Sequence, residues 1–336
     1  MRLQSVGLSR YQIRLLPGTA PLDEREGALL FWRVQDGHEV VSEMAPLPGF
    51  SAETLSDCIS ACRRFFADGG PAATQRLAAA RQAANDEDAA PALDYLPPAA
   101  RFALEAGWME LSHPPLKTPS VSTCRLMGPD QSRLDGPVDQ CVKVKVGRAG
   151  LEADIERLRQ LLNQLPAAIR LRLDANRSWT LEQAARLCAV LPPERIEFIE
   201  EPLLPGSSYA DWPRVSGIPY ALDETLREQP ASNLQAPGLG AIVLKPMLTG
   251  LSQSMRWMRS ARQCRRQVVL SAAFESNITL DFYARLARFW RLRSVPGLDT
   301  FSAWPEALLT PLRSQPGHQH KPVRPRAELI TEPPLL

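Results

Sequence analysis

The sequence predicts an α/β protein: a (β/α)7β barrel with a smaller α+β domain capping it. Three observations lead there. The 336 residues exceed one ordinary domain and suit either two domains or a barrel with an attachment. From residue 140 onward, short apolar strand-like runs alternate with helical stretches, the pattern of parallel βαβ units. Six or more such units in series, without a GxGxxG or a Walker loop, favour a closed barrel over a doubly wound sheet. We place the capping domain at 1–110, completed by 306–336, and the barrel at 111–305.

Composition is that of a globular protein, 44% hydrophobic and 23% charged. The net charge of +2 lacks the basic excess of a nucleic-acid binder, although a local basic patch can hide inside a neutral total. No run is long and apolar enough for a membrane helix, and the N-terminal stretch is broken by Arg2, Arg10 and Arg14, which excludes an ordinary secretory signal. The six cysteines (58, 62, 124, 141, 188 and 264) show no CxxC or zinc spacing and are expected as reduced thiols in a cytoplasmic protein.

In the capping domain, LLFWRV and HEVVSEM read as strands around a turn at Asp36-Gly37, and SAETLSDCISACRRFF as a helix. Residues 67–98, rich in Ala, Gly, Pro and Asp, are expected as loop or loose helix. PPAARFALEAGWMELSH reads as a helix opened by prolines. Residues 114–139 are loop-like, apart from a short strand around Thr123–Leu126. QCVKVKVG then alternates valines against Lys143 and Lys145. IRLRLDANRSW, RIEFIEEPLL, PYALDET, AIVLKP and QVVLSAAFES follow as strands, with helices LEADIERLRQLLNQL, one starting at Thr180 with Gln183 three on, SQSMRWMRSARQCRR and ITLDFYARLARFW. A last short run lies at Pro296–Thr300. The tail holds His318 and His320, read as part of a surface segment packing back on the small domain and not as a metal site.

The strands end in a specific series: Lys143 and Lys145, Asp174, Glu200, Asp223, Lys245 and Ser271, each about one strand–helix unit after the last. In a parallel barrel these ends open on one face, where active sites of this fold sit. Three carboxylates from successive strands suit a hard cation, Mg2+ or Mn2+. Glu201 competes with Glu200, since adjacent side chains point to opposite sides of a strand. Of 39 basic residues only five are lysines, and three of those stand in this series. Arginine stays protonated, whereas a lysine with a lowered pKa can act as a base. Lys143 and Lys145 share a face about 7 Å apart. At that distance two ammonium groups repel by about 2.5 kcal/mol at an effective dielectric near 20. These parts fit proton abstraction α to a carboxylate, with the resulting enediolate stabilised by cations.

The motifs VKVKVG (142–147), LRLDANRSW (171–179), FIEEP (198–202), LDET (222–225) and VLKPMLTG (243–250), with SAAFES (271–276) and PGLDT (296–300), resemble those of the enolase superfamily. PLPGFSAETL (46–55) is similar to the loop that closes over substrate in its proteobacterial o-succinylbenzoate-forming branch. The resemblance implies Lys145 as the acid/base lysine with Lys143 beside it, and Asp174, Glu200 and Asp223 as ligands of Mg2+ or, in its place, Mn2+. Asn176 stands beside those ligands, and Lys245 faces the substrate from the other side. Ser271 and Gly297 line the pocket, and Arg172 points inward near the site or into a salt bridge of the barrel interior. The implied reaction is dehydration of a small cyclohexadiene carboxylate to an aromatic acid. The implied partner is that substrate alone, with no nucleic acid and no membrane, and a monomer is expected. Three alternatives stand beside it: an N-acylamino acid racemase or muconate cycloisomerase of the same superfamily, a Schiff-base aldolase using Lys245, and a barrel that binds ligand without chemistry.

Overall fold

The structure is a computed structural model; it describes residues 2–85, 92–113, 122–128, 131, 140–229, 233–309 and 329–336. His318 and His320 lie outside the described residues, as does most of 114–139.

The first sheet is antiparallel. Strands β1 (Leu3–Arg14), β2 (Glu24–Val34) and β3 (Glu39–Met44) form a meander, with the Asp36-Gly37 turn where the sequence places it. β1 is absent from the sequence reading. Its arginines obscure a strict alternation: Tyr11 and Ile13 are buried while Arg10, Gln12 and Arg14 face out. Three helices pack on this sheet: α1 (Leu55–Phe66), α2 (Gly70–Asn85) and α3 (Pro98–Ser112). The α1 helix starts with a reciprocal capping box between Thr54 and Asp57 and buries Cys58, Cys62 and Phe65 on one face. In place of loop or loose helix, α2 is a regular helix that buries Ala73, Leu77 and Ala80. Gly107 of α3 lies against the Trp32 indole, where a Cβ would overlap the ring.

The second sheet is parallel, and its strands are neighbours in chain order: β4 (Arg125–Met127), β5 (Cys141–Lys145), β6 (Arg170–Asp174), β7 (Ile196–Glu200), β8 (Tyr220–Leu222), β9 (Leu239–Leu244) and β10 (Gln267–Leu270). The connections carry α4 (Leu151–Gln164), α5 (Leu181–Val190), α6 (Trp212–Val215), α7 (Glu224–Glu228), α8 (Pro246–Thr249) and α9 (Leu251–Gln263); α10 (Asn277–Phe289) follows β10. The Thr180–Gln183 capping box of α5 is formed. Residues 296–298 close the barrel. Gly297 N donates to Leu270 O, Ala272 N donates to Gly297 O, and Cys124 N donates to Pro296 O, each at 2.9 Å. The (β/α)7β architecture is thus realised, with an eighth strand position too short to form a regular strand. A final strand, β11 (Leu329–Glu332), returns the chain to the antiparallel sheet beside β1.

Two fully buried polar residues join the two sheets. Arg25 donates from Nε to Phe274 O (3.1 Å) and from its guanidinium to Pro46 O (2.5 Å) and Ala45 O. Glu43 accepts from Tyr11 Oη (2.5 Å), Ser276 N (3.0 Å) and Ser276 Oγ (2.8 Å). Desolvated charges persist inside a protein only with such complete pairing. Among the described residues, no helix is long and apolar enough to cross a membrane. All six cysteines are free.

Candidate active site at the barrel mouth

The parallel register sets the geometry. Lys145 pairs with Asp174, and Asp174 with Glu200, so three strand ends stand level across β5, β6 and β7. On β8 it is Ala221 that pairs with Glu200, which leaves Asp223 two residues further on, at the start of α7. The strand ends surround a cavity of about 360 Å3. Every site residue singled out from the sequence lines it except Asp223: the three lysines, Asp174, Glu200, Asn176, Arg172, Ser271 and Gly297. Asp223 is 1% exposed and lies behind Lys245, whose Nζ bonds its Oδ2.

The structure decides between the adjacent glutamates. Glu200 faces inward, with Oε2 2.6 Å from Lys143 Nζ. Glu201 has φ 41° and turns away. It accepts from Asp223 N (2.8 Å), Thr225 N (2.7 Å) and Thr225 Oγ1 (2.7 Å), holding the turn into α7.

The lysines fall into two electrostatic classes. Lys143 Nζ lies between Glu200 Oε2 and Asp174 Oδ2, the latter at 2.9 Å. Burial works against its charge, but Asp174 and Glu200 outweigh burial and hold the ammonium well above the usual range. Lys245 is raised in the same way, with Asp223 opposing burial. Lys145 has no ion pair among the described residues. Burial pushes it down, Asp174 opposes, and Lys143, Arg148 and Lys245 add repulsion. The repulsion expected from the alternation is therefore real but ranks behind desolvation at Lys145, and at Lys143 the attraction of Asp174 and Glu200 outweighs it. The acids also divide. Burial and the neighbouring Asp174 push Glu200 up to about 8, whereas Lys143 and Lys245 outweigh burial and hold Asp174 below the ordinary carboxylate range.

The donor set suits a divalent cation. Asp174, Glu200, Asp223 and Glu224 bring four carboxylates together, and two of their oxygens are buried without a hydrogen bond among the described residues: Glu224 Oε2, and Asp223 Oδ1, which faces the Arg227 guanidinium at 3.5 Å. As the side chains stand, no group of three His, Cys, Asp or Glu among the described residues is arranged around one ion. The ammonium of Lys143 occupies the space between Asp174 and Glu200, and a cation held by both acids has to displace it.

Several lining residues escape the sequence reading. Glu224 is the buried acid next to Asp223, pushed up to about 7 by burial and by Asp223. Its signal was the LDET motif itself, read only at its aspartate. Leu47 and Phe50 reach the cavity from the loop after β3, and Phe50 is 44% exposed there. Arg25 anchors that loop through Ala45 and Pro46, a role no local pattern announces. Arg172 lines the cavity and also forms the barrel-interior salt bridge: its Nε lies 2.8 Å from Glu197 Oε2, and its Nη1 donates to Val295 O at 2.7 Å. Its guanidinium also lies over the Phe198 ring, 5.3 Å from the centroid.

The family model described as Enolase C-terminal domain-like matches residues 137–324. The o-succinylbenzoate synthase of Pectobacterium atrosepticum is 32% identical over 93% of this chain and 98% of its own. That of Yersinia enterocolitica is 32% identical over 91% of this chain and 96% of its own. Among solved structures, the o-succinylbenzoate synthase of Thermosynechococcus elongatus, with Mg in its active site, has a TM-score of 0.66 at 23% identity, covering 92% of this chain and 96% of that one. A mandelate racemase/muconate lactonizing protein from Herpetosiphon aurantiacus has a TM-score of 0.74 at 21% identity, covering 91% of each. The two solved structures speak for the fold. The chain belongs to the enolase superfamily. Within it, the chain is a member of the o-succinylbenzoate synthase family, and it is an enzyme of the lyase class.

Proposed function

We propose that this enzyme converts 2-succinyl-6-hydroxy-2,4-cyclohexadiene-1-carboxylate to 2-succinylbenzoate by syn loss of water, a step of menaquinone biosynthesis. The observation that carries the mechanism is that Lys145, on the cavity wall, is the lysine of the cluster held below the usual ammonium range. A neutral amine there removes the proton α to the substrate carboxylate. The ammonium so formed returns that proton to the leaving hydroxyl, so C–H and C–O bonds break and one water departs. Aromatisation drives the step. Lys245, held cationic by Asp223, faces the enediolate from the β9 side and stabilises its charge. Asp174, Glu200 and Asp223 would hold Mg2+, or Mn2+ in its place, with Asn176 beside them. When bound, the ion supplies Lewis-acid stabilisation of negative charge on the substrate carboxylate. Ser271, Gly297, Leu47 and Phe50 shape the pocket around the succinyl group.

The same placement of Lys145 and Lys245 on different walls favours a second reading within the superfamily, racemisation of an N-acylamino acid by a base on each face. The ion pair of Lys245 with Asp223 keeps its amine protonated, which disfavours a Schiff-base aldolase. Membership of a lyase family removes the reading of a silent ligand-binding barrel.

Loss of the diene absorbance of the cyclohexadiene substrate, followed with and without Mg2+, tests the proposal. We expect rapid Mg2+-dependent loss with release of 2-succinylbenzoate. Absence of turnover, together with solvent deuterium exchange into N-succinylamino acids, would transfer the assignment to racemisation. We further propose that 1–110 with 306–336 forms the capping unit and 111–305 the catalytic unit. The enzyme is proposed to act as a cytoplasmic monomer whose only partner is its small carboxylate substrate.

A further inference from the structure

A net charge of +2 conceals a cluster of arginines at the end of the barrel opposite the active-site cavity. There the strand starts of β5, β6 and β10 and the loop after α10 enclose a cavity of about 1010 Å3. Arg170, Arg262, Arg265, Arg266, Arg291 and Arg293 line it. Among the described lining residues the only acid is Glu197, and Arg172 already neutralises it. Arg262 and Arg266 donate to the backbone carbonyls of Trp290 and Leu234. Arg170, Arg265, Arg291 and Arg293 have no side-chain hydrogen bond or ion pair among the described residues, and Arg170, Arg265, Arg291 and Arg293 are exposed.

A second observation concerns the backbone. Helices α9 and α10 end in the same motif. Arg265 N and Arg266 N donate to Arg262 O and Ala261 O, and Arg291 N and Leu292 N donate to Arg288 O and Ala287 O. In this motif the residue just beyond the cap is left-handed and is usually glycine. Here it is arginine both times, Arg265 with φ 56° and Arg291 with φ 51°. Two non-glycine residues hold a disfavoured conformation and both present a guanidinium to one cavity. Residues held in such conformations cluster at ligand-binding and active sites. Attraction of a cation to a helix C-terminus accounts for a basic residue in the last turn; it accounts for neither Arg170 nor Arg293, which belong to a strand and a loop.

We propose that this basic cavity is a second ligand site, for a compact oligophosphate. Guanidinium groups grip phosphate oxygens in pairs. An excess of six cations in one concavity calls for several negative charges in a small volume. Among the described lining residues there is no aromatic side chain to stack a base or seat an apolar tail. The Arg172–Glu197 pair stands between this cavity and the active-site cavity, and Arg172 lines both, so the two sites are separate.

Titration calorimetry of the whole protein with inorganic tripolyphosphate tests the site. We expect saturable binding that weakens by more than about tenfold between about 0.05 and 0.2 M salt. Replacing both strained residues, Arg265→Gly with Arg291→Gly, should weaken it by at least about tenfold. Thermal stability should be equal or higher, because glycine suits the backbone there, and turnover should be unchanged. Arg170→Ser with Arg293→Ser, which leaves the helix ends intact, should weaken binding likewise if the glycine variant does not fold. No saturable binding, undiminished binding in the variants, or orthophosphate binding as tightly as tripolyphosphate would overturn the proposal. So would tighter binding of an oligoglutamate peptide, which would make the cavity a docking site for an acidic protein segment.

Discussion

Lys143 and Lys145 stand two residues apart on one face of β5, yet only Lys143 is paired: its Nζ lies 2.6 Å from Glu200 and 2.9 Å from Asp174, and Lys145 has no ion pair among the described residues. One lysine is thereby committed to charge and the other is left free to lose it. The difference follows from position along the strand. Lys143 lies deeper, where β6 and β7 can lay their terminal carboxylates over it, and Lys145 is level with Asp174 at the rim.

Replacing the rim lysine separates charge from proton transfer. Lys145→Arg keeps the cation but not the titration, and should lower kcat by about 10²–10⁴-fold, the contribution typical of a general base. Circular dichroism and the melting temperature should stay close to wild type. Near-normal turnover in this variant would remove Lys145 from the mechanism.

The lowered Lys145 gives a sign to the pH profile. Because the neutral amine is the active form, kcat/KM should rise with pH, with a midpoint below the ordinary lysine value. Lys143→Met takes away one repelling cation and leaves Lys145 as the nearest ammonium on β5 to the charge of Asp174. Both changes favour the ammonium, so the Lys145 titration, read by nitrogen chemical shift, should move upward by about one unit or more. A downward move would contradict the charge balance described here.

Metal dependence has a readout apart from activity. Mg2+ should raise the melting temperature of EDTA-treated protein by a few degrees, the size expected for a ligand well above its dissociation constant. Asp223→Asn should abolish that rise, because it removes the negative charge of a carboxylate whose Oδ1 accepts no hydrogen bond among the described residues and faces the Arg227 guanidinium, at 3.5 Å. An unchanged Mg2+ response in the variant would exclude Asp223 as a ligand.

The buried pair inside the barrel is a stability element. Arg172 is 2% exposed, and Glu197→Ala leaves its guanidinium in the interior without a counter-charge. Breaking such a pair costs about 3–5 kcal/mol, measurable by urea denaturation. A loss below 1 kcal/mol, on the order of a surface pair, would mean that Arg172 finds another partner.

The contact between α3 and the antiparallel sheet depends on a missing side chain. Gly107→Ala inserts a methyl group into the Trp32 indole. Overpacking of this kind costs about 1–3 kcal/mol, and the helix preference of alanine offsets only part of it. Unfolding at equilibrium measures the net loss, and a stabilised variant would show that the helix can shift away from the ring.

Much of this was legible before any coordinates. The Thr180–Gln183 capping box, the VKVKVG alternation and the strand-end series are local patterns, and local patterns follow from the periods of helix and strand. β1 was not legible, because exposed arginines masked its alternation. Glu224 was passed over because neighbouring acids at a strand end look alike in one dimension. Arg25 and Glu43 could not be assigned, since their partners at 274 and 276 are more than 200 residues away in the chain.

The sequence by itself determined the succession of strands and helices, the family, and the acids and amines that meet at the mouth, because these depend on residue type and spacing. Only the tertiary structure decided which of Glu200 and Glu201 faces inward, which lysine is paired, and why Asp223 sits behind the cavity. Those outcomes depend on register between strands and on burial in three dimensions, and neither is encoded within any single stretch of chain.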